Sequence, residues 1–239
     1  YDRWRANDVA VYLSSSDFAI RELRLGFAYN FLGEDRTSPK IRMNRDGSPF
    51  LPRGVWDRAA AVEDCRSVDT VYIAGKKLKL RTDDAREMLA IASSKFERVY
   101  CYFNPISAVS LKQRLVDTDV DNLAAYVAWK ETIVEICASY TEVALVDYQT
   151  INDVTSDVAN YWDYNHYRES VVGLIFRDIA SLHELGELED DGFGELLTWR
   201  GRVVGRVNVE GLSTFDETRF YAERPNALDS TVVSLLGSI

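Results

Sequence analysis

Between Thr82 and Tyr148 helical and strand-like periodicity alternate, and this alternation restricts the fold more than any other feature of the chain. Thr82-Asp83-Asp84 has the composition of a helix start, and Ala85, Met88, Leu89 and Ala92 then recur on one helical face. Arg98 to Phe103 is a β-rich apolar run stopped by Asn104-Pro105, because proline has no N–H to give to a ladder. Asp121 and Asn122 introduce a second helix through Leu123, Val127, Ile133 and Cys137. Glu142 to Tyr148 is the next strand. Helix, strand, helix, strand is the pattern of βαβ crossovers, so we expect an α/β fold with a mainly parallel sheet. Ligands in such sheets bind beyond the carboxyl ends of the strands. Asn104, Asp147 and the stretch around residues 163–166 all belong toward that edge.

The flanks are read more coarsely. Asp8 to Leu13 has the composition of a buried strand, followed by Ser14-Ser15-Ser16-Asp17 as a cap for a helix over Phe18 to Phe31. Gly33 to Gly54 is rich in turn residues and is expected to be a long loop, with Asn44-Arg45-Asp46-Gly47 as a turn inside it. Val68 to Ile73 is either a strand or a connection. Lys76-Lys77-Leu78-Lys79 is read as a solvated turn, and the acidic run from Glu187 to Gly194 as a solvated loop. The expected organisation is one α/β domain over residues 1–200, with residues 201–239 as a C-terminal extension packed on it. The chain starts at Tyr1 rather than Met, so the domain is expected to be N-terminally incomplete.

Composition sets outer bounds. With 239 residues, 46% hydrophobic and 28% charged, the chain can bury a core without disulfides or metal. Its net charge of −10 argues against a nucleic-acid backbone as the main partner. No run approaches the roughly 18–20 apolar residues of a membrane span. Three scattered cysteines without C-x-x-C spacing support neither a zinc site nor a disulfide framework, and Cys101 and Cys137 read as buried thiols. No metal and no other cofactor is expected: a Rossmann G-x-G-x-x-G or a P-loop is absent, and Asp147, Asp153, Asp157, Asp163 and His166 lack a compact ligand spacing.

The chemistry concentrates in Tyr161-Trp162-Asp163-Tyr164-Asn165-His166-Tyr167-Arg168, which holds one of the two histidines. Downstream, Val171, Val172, Ile175, Phe176 and Ile179 recur at helical spacing, so the stretch is a turn entering a helix. Two readings stand side by side. Asp163 orients His166 as a general base, since imidazole titrates near neutrality. Alternatively, Asp163 caps the helix and His166 is an ordinary first-turn residue. Arg168 either pairs with a carboxylate or meets an anionic substrate group. Trp162 and Tyr164 form either an apolar wall for a sugar face or packing at the helix entry. His183, near the helix end, is read as structural.

This aromatic–Asp–x–x–His–Tyr–Arg block, followed by Val172-Gly173 and a helix, resembles the D-x-x-H block of the SGNH (GDSL-like) hydrolases, in particular a bacterial subgroup. Phe103-Asn104-Pro105 with Ala108, Trp129-Lys130, and Phe193-Gly194 before Leu196-Leu197-Thr198 also resemble segments of that subgroup. Together they cover about residues 95–200. The resemblance implies a flavodoxin-like three-layer α/β/α sandwich and metal-free serine ester chemistry. His166 would be the base and Asp163 its orienting carboxylate. The implied activity is that of a serine esterase or O-acyltransferase on ester (O-acetyl) groups, with a carbohydrate ester as substrate. It also implies a place in the cell envelope or periplasm, against which the free thiols weigh.

The nucleophile leaves two alignments open. No Gly-Asp-Ser occurs, and the nearest strand–Ser–helix turn is Leu13-Ser14-Ser15-Ser16, with Ser14 in the glycine's place and Ser15 or Ser16 as nucleophile. A helix N-terminus there would offer N–H groups to an oxyanion. In the other alignment Tyr12 to Asp17 corresponds to a segment well after the nucleophile, and the serine lies upstream of Tyr1. The Gly-x-Asn-Asp oxyanion block is absent; Asn104 is the candidate donor, with Trp162 and Arg168 as further substrate contacts. The alternative function is an inactive SGNH-like scaffold, or one piece of a larger assembly with a protein partner.

Overall fold

The computed structural model describes residues 8–13, 42–43, 49–50, 57–66, 82–117, 122–163, 166–190 and 192–222. The chain divides into two compact units, residues 14–57 and residues 1–13 with 58–239. In the smaller unit, β2 (Arg42–Met43) and β3 (Pro49–Phe50) pair antiparallel, Arg42 opposite Phe50. The stretch expected to be a loop without regular structure therefore contains a two-residue ladder on either side of the Asn44–Gly47 turn sequence. The helix expected over residues 18–31, the Val68–Ile73 segment, the lysine run at 76–79 and Ser14 to Ser16 lie outside the described residues.

In the larger unit, β1 (Asp8–Leu13), β4 (Arg98–Phe103) and β5 (Val143–Asp147) are parallel neighbours, with Leu13 opposite Phe103 and Phe103 opposite Asp147. β6 (Glu195–Trp199) and β7 (Arg202–Val203) continue the sheet antiparallel, in the order β1-β4-β5-β6-β7. The fold is α/β with a mixed sheet. The sheet is thus not mainly parallel as expected: the parallel part is the stretch in which strands alternate with helices, the antiparallel part begins where β6 lies beside β5, and a tight return at Arg200 and Gly201, both at positive φ, joins β6 to β7.

Strand alternation sends side chains to opposite faces, and two cores result. Beyond α1 (Arg58–Arg66), Val99, Cys101, Phe103, Val143 and Leu145 join α2 (Asp83–Ser93), α3 (Ala108–Leu115) and α4 (Asn122–Ala138) in one cluster. Tyr100, Ala144, Val146 and Tyr148 join α5 (Glu169–Glu184) in the other. Every residue of β5 is buried, as expected of a strand covered on both sides. Each fully buried Leu, Ile or Phe here contributes roughly 1.5–3 kcal/mol of hydrophobic stabilisation.

Three local expectations change. Thr82 makes no side-chain cap bond to α2. Ser107 does cap α3, its Oγ accepting from the Ser110 N–H at 3.2 Å. On α5 the buried residues include the apolar Val171, Leu174, Ile175, Ile179 and Leu182 together with Ser170, Asp178 and Ser181, while Phe176 is 57% exposed. The apolar positions of that helix extend around more than half its circumference, and docking on Tyr100 and Val146 selects one arc of them.

The Asp/His turn and the carboxyl edge

At the carboxyl edge of the sheet β4 gives way to Asn104-Pro105, and β5 ends in Asp147. The segment after β5 is held by its own side chains. Asn152 Oδ1 accepts from the backbone N–H groups of Val154 and Thr155 at 2.9 Å, and Thr155 Oγ1 donates to the Thr150 carbonyl at 2.7 Å. The Thr155 carbonyl in turn accepts the Ala108 N–H at 2.9 Å, tying this segment to the start of α3 (residues 108–115). Asn160 Nδ2 donates to the Val154 carbonyl at 3.0 Å. Asp157 caps a single 3-10 turn, Val158–Asn160, through the Ala159 N–H.

The turn carrying the candidate base begins directly afterwards. Tyr161 and Tyr167 form an isolated antiparallel bridge, and the Trp162 N–H donates to the His166 carbonyl at 2.7 Å. Arg168 closes the turn: its N–H donates to the Asn160 carbonyl and its Nη1 to the Ala159 carbonyl, both at 2.8 Å. Tyr161 is fully buried against Phe220. The Tyr167 phenol is hydrogen-bonded to Tyr102 on β4; burial pushes Tyr102 up to about 12, with that bond pulling against the rise. These anchors leave Asp163 and His166 at the tip.

There the His166 ring Nδ1 lies 2.7 Å from Asp163 Oδ2 and 2.9 Å from Oδ1. Asp163 Oδ1 also accepts the His166 backbone N–H at 2.9 Å. The carboxylate is thus committed to the histidine and not to the helix end. The residue at the N-cap of α5 is Arg168, whose side chain makes no cap bond. Of the two readings of Asp163, capping is overturned. A carboxylate on Nδ1 favours the tautomer with its proton on that nitrogen, which leaves the Nε2 lone pair as the acceptor. The His166 side chain is 47% exposed and that of Asp163 24%, so the pair meets solvent.

Behind the edge lies a polar cluster that the periodicity argument did not find. Lys130 of α4 (residues 122–138) and Asp147 are both fully buried and paired at 2.7 and 2.8 Å. The Lys130 ammonium also sits over the rings of Phe103 and Tyr126, 4.6 and 5.2 Å from their centroids. Asp147 Oδ1 accepts the Gln149 N–H at 2.9 Å. The Gln149 side chain then bridges, Nε2 donating to the Asn104 carbonyl at 2.8 Å and Oε1 accepting from the Tyr126 hydroxyl. Burial pushes the Lys130 ammonium below its usual range against the pull of Asp147, and raises Tyr126. On β6 (residues 195–199), Glu195 opposite Asp147 is pushed up by burial first and by that neighbouring charge second. The signal available in sequence was a lysine in the middle of an otherwise apolar helical arc, Tyr126, Trp129, Ile133 and Cys137.

The other candidates fall as follows. Asn104 is 6% exposed, its Oδ1 buried without a hydrogen-bond partner, at the end of β4. Trp162 is half-buried beside Asp163, and Tyr164 and Asn165 lie outside the described residues. Arg168 spends its Nη1 on the Ala159 carbonyl. His183 is bonded through Nδ1 to the Tyr100 hydroxyl at 2.8 Å, and its carbonyl accepts from Arg98. Cys65, Cys101 and Cys137 are buried and none of them is in a disulfide. Among the described residues no three or more His, Cys, Asp or Glu gather into a metal site, and no helix is long and apolar enough to cross a membrane. No protein-family model, curated protein or solved structure matches the chain.

Proposed function

We propose that this protein is a serine esterase or O-acyltransferase of SGNH type, built on a flavodoxin-like three-layer α/β/α sandwich. The observation that carries the reading is the contact of both Asp163 carboxylate oxygens with His166 Nδ1, at the carboxyl edge side of an α/β sheet. In this chemistry Nε2 of His166 takes the proton of a serine hydroxyl as the oxygen attacks an ester carbonyl. Asp163 holds the Nδ1–H tautomer and stabilises the imidazolium. Collapse of the tetrahedral intermediate breaks the ester C–O bond, and the leaving alcohol takes the proton back from Nε2. Water or a second hydroxyl then receives the acyl group by the reverse sequence. The substrate class is an O-acyl, in particular O-acetyl, carbohydrate, with Trp162 as an apolar wall for a sugar face. Asn104 and Arg168 are candidate polar contacts to the acyl group. The serine is Ser15 or Ser16, or it precedes Tyr1.

Reaction with a fluorophosphonate serine probe, followed by peptide mapping, tests this directly. Labelling at Ser14, Ser15 or Ser16 that disappears in His166→Ala is the expected result. A folded sample that takes no label overturns the esterase reading for this chain. It would leave an inactive scaffold, or a partner of the segment that carries the serine.

A further inference from the structure

Stability alone does not account for a lysine and an aspartate with no solvent exposure in the middle of an apolar core. Removing both charges from water costs several kcal/mol per ion, and a well-packed apolar pair of similar volume is commonly as stable or more so. What the pair does that an apolar pair would not is hold a third group. Asp147 accepts both contacts from Lys130 and, through Oδ1, the N–H of Gln149. That bond fixes the direction in which the chain leaves β5 (residues 143–147). Gln149 then ties this exit to the end of β4 (residues 98–103) through the Asn104 carbonyl, and to α4 (residues 122–138) through Tyr126.

From there short hydrogen-bonded stretches, joined to one another by the covalent backbone, follow the chain to the turn. Thr155 closes on the Thr150 carbonyl. Asn160 donates to the Val154 carbonyl. Arg168 grips the carbonyls of Ala159 and Asn160, and Trp162 holds the His166 carbonyl. We infer that Lys130, Asp147 and Gln149 are positioning residues: a buried strut that sets where the residue 148–160 segment departs from the sheet, and through it the placement of the Asp163–His166 pair. The inference rests on the reading of that pair as a working base. It assigns a role to three residues that never touch the reacting atoms.

The molecule contains its own control. Its two histidines sit at different places: His166 on the turn, and His183 bonded to Tyr100 on the strand that Arg98 begins. Imidazole nitrogen-15 chemical shifts report the tautomer of each ring separately. The decisive variant is the double replacement Lys130→Met with Asp147→Leu, which removes the charges and the Gln149 acceptor while keeping an apolar core. We expect a melting temperature within a few degrees of wild type or above it. We also expect the His166 nitrogens to lose the Nδ1–H signature and move toward averaged tautomer shifts, with His183 unchanged. If the double variant does not fold, Gln149→Met leaves the ion pair and the backbone N–H bond to Asp147 in place, removes the side-chain bridge to Asn104 and Tyr126, and is read by the same His166 and His183 shifts.

His166 shifts identical to wild type in a folded variant overturn the inference, and so does an equal change at both histidines, which would mean general loosening. None of these outcomes depends on ester chemistry. A strut that fails here is therefore distinguishable from a base pair that fails to support serine-probe labelling.

Discussion

Asp147 meets Lys130 at 2.7 Å and Asp163 meets His166 at the same distance, yet the first pair is fully buried and the second is 24% and 47% exposed. The contacts are alike; the surroundings are not. Around Lys130 lie the rings of Phe103 and Tyr126, and its partner Asp147 also holds the Gln149 N–H, so the charge has no water to fall back on. Around His166 solvent is present, and neither member of that pair lies in the core. A carboxylate–ammonium contact in a dry core is a rigid joint, whereas a carboxylate–imidazole contact at a wet edge stays open to whatever solvent brings.

The largest effect that would break this comparison belongs to the exposed pair. Asp163→Asn keeps the shape but cannot hold the Nδ1–H tautomer, because the amide presents a donor in place of one acceptor oxygen. In a serine-hydrolase mechanism this costs on the order of 10⁴-fold in rate. The measurement is the rate of serine-probe labelling, with a melting curve expected to stay within a few degrees of wild type. A variant that labels at the wild-type rate would mean that Asp163 is decoration.

Next comes the buried pair, where the loss should appear in stability and not first in chemistry. Lys130→Ala leaves Asp147 charged with no counter-ion and is expected to destabilise by about 3–5 kcal/mol. Urea denaturation followed by circular dichroism reads this. A loss under about 1 kcal/mol, the range of exposed pairs, would show that water reaches Asp147 and that the two environments are not so different.

The smallest effect sharpens the contrast through pH. Burial, and then the charge of Asp147, hold the Glu195 carboxyl above its ordinary 4.5. The folded protein therefore binds that proton more tightly than the unfolded chain. Its contribution to stability is fully present below about 4.5 and is lost as pH rises through the elevated folded value. Glu195→Gln should flatten that part of the stability–pH curve between pH 4.5 and neutrality, measured as denaturation midpoints. An unchanged curve would remove Glu195 from the field of the buried pair.

How much of this was legible beforehand depends on the range of the cause. β4 and β5 were readable because each is a short apolar run with a local stop, Asn104-Pro105 for the first and the polar residues after Tyr148 for the second. α2 and α4 were readable from their spacing. The Asp163–His166 contact was readable as one of two local possibilities, because two residues three apart on a turn can reach each other without help from elsewhere; the choice over helix capping came from the structure. The Lys130–Asp147 joint was not. Its members are 17 residues apart, on a helix and a strand, and a periodicity argument assigns a lysine to the solvent side. The arc of α5 that is buried was not readable either, since Phe176 and Leu174 are equally apolar and only the sheet distinguishes them.

The sequence by itself thus determined the α/β alternation and the polar ends of the central strands, and it narrowed Asp163 to two local roles, a partner for His166 or a helix cap. All of these follow from interactions within a few residues of chain. The tertiary structure decided which helix face is inside, that the sheet turns antiparallel after β5, and that a lysine and an aspartate share a dry core. Those outcomes depend on surfaces that meet only after folding, where burial sets the cost of a charge and packing selects its partner.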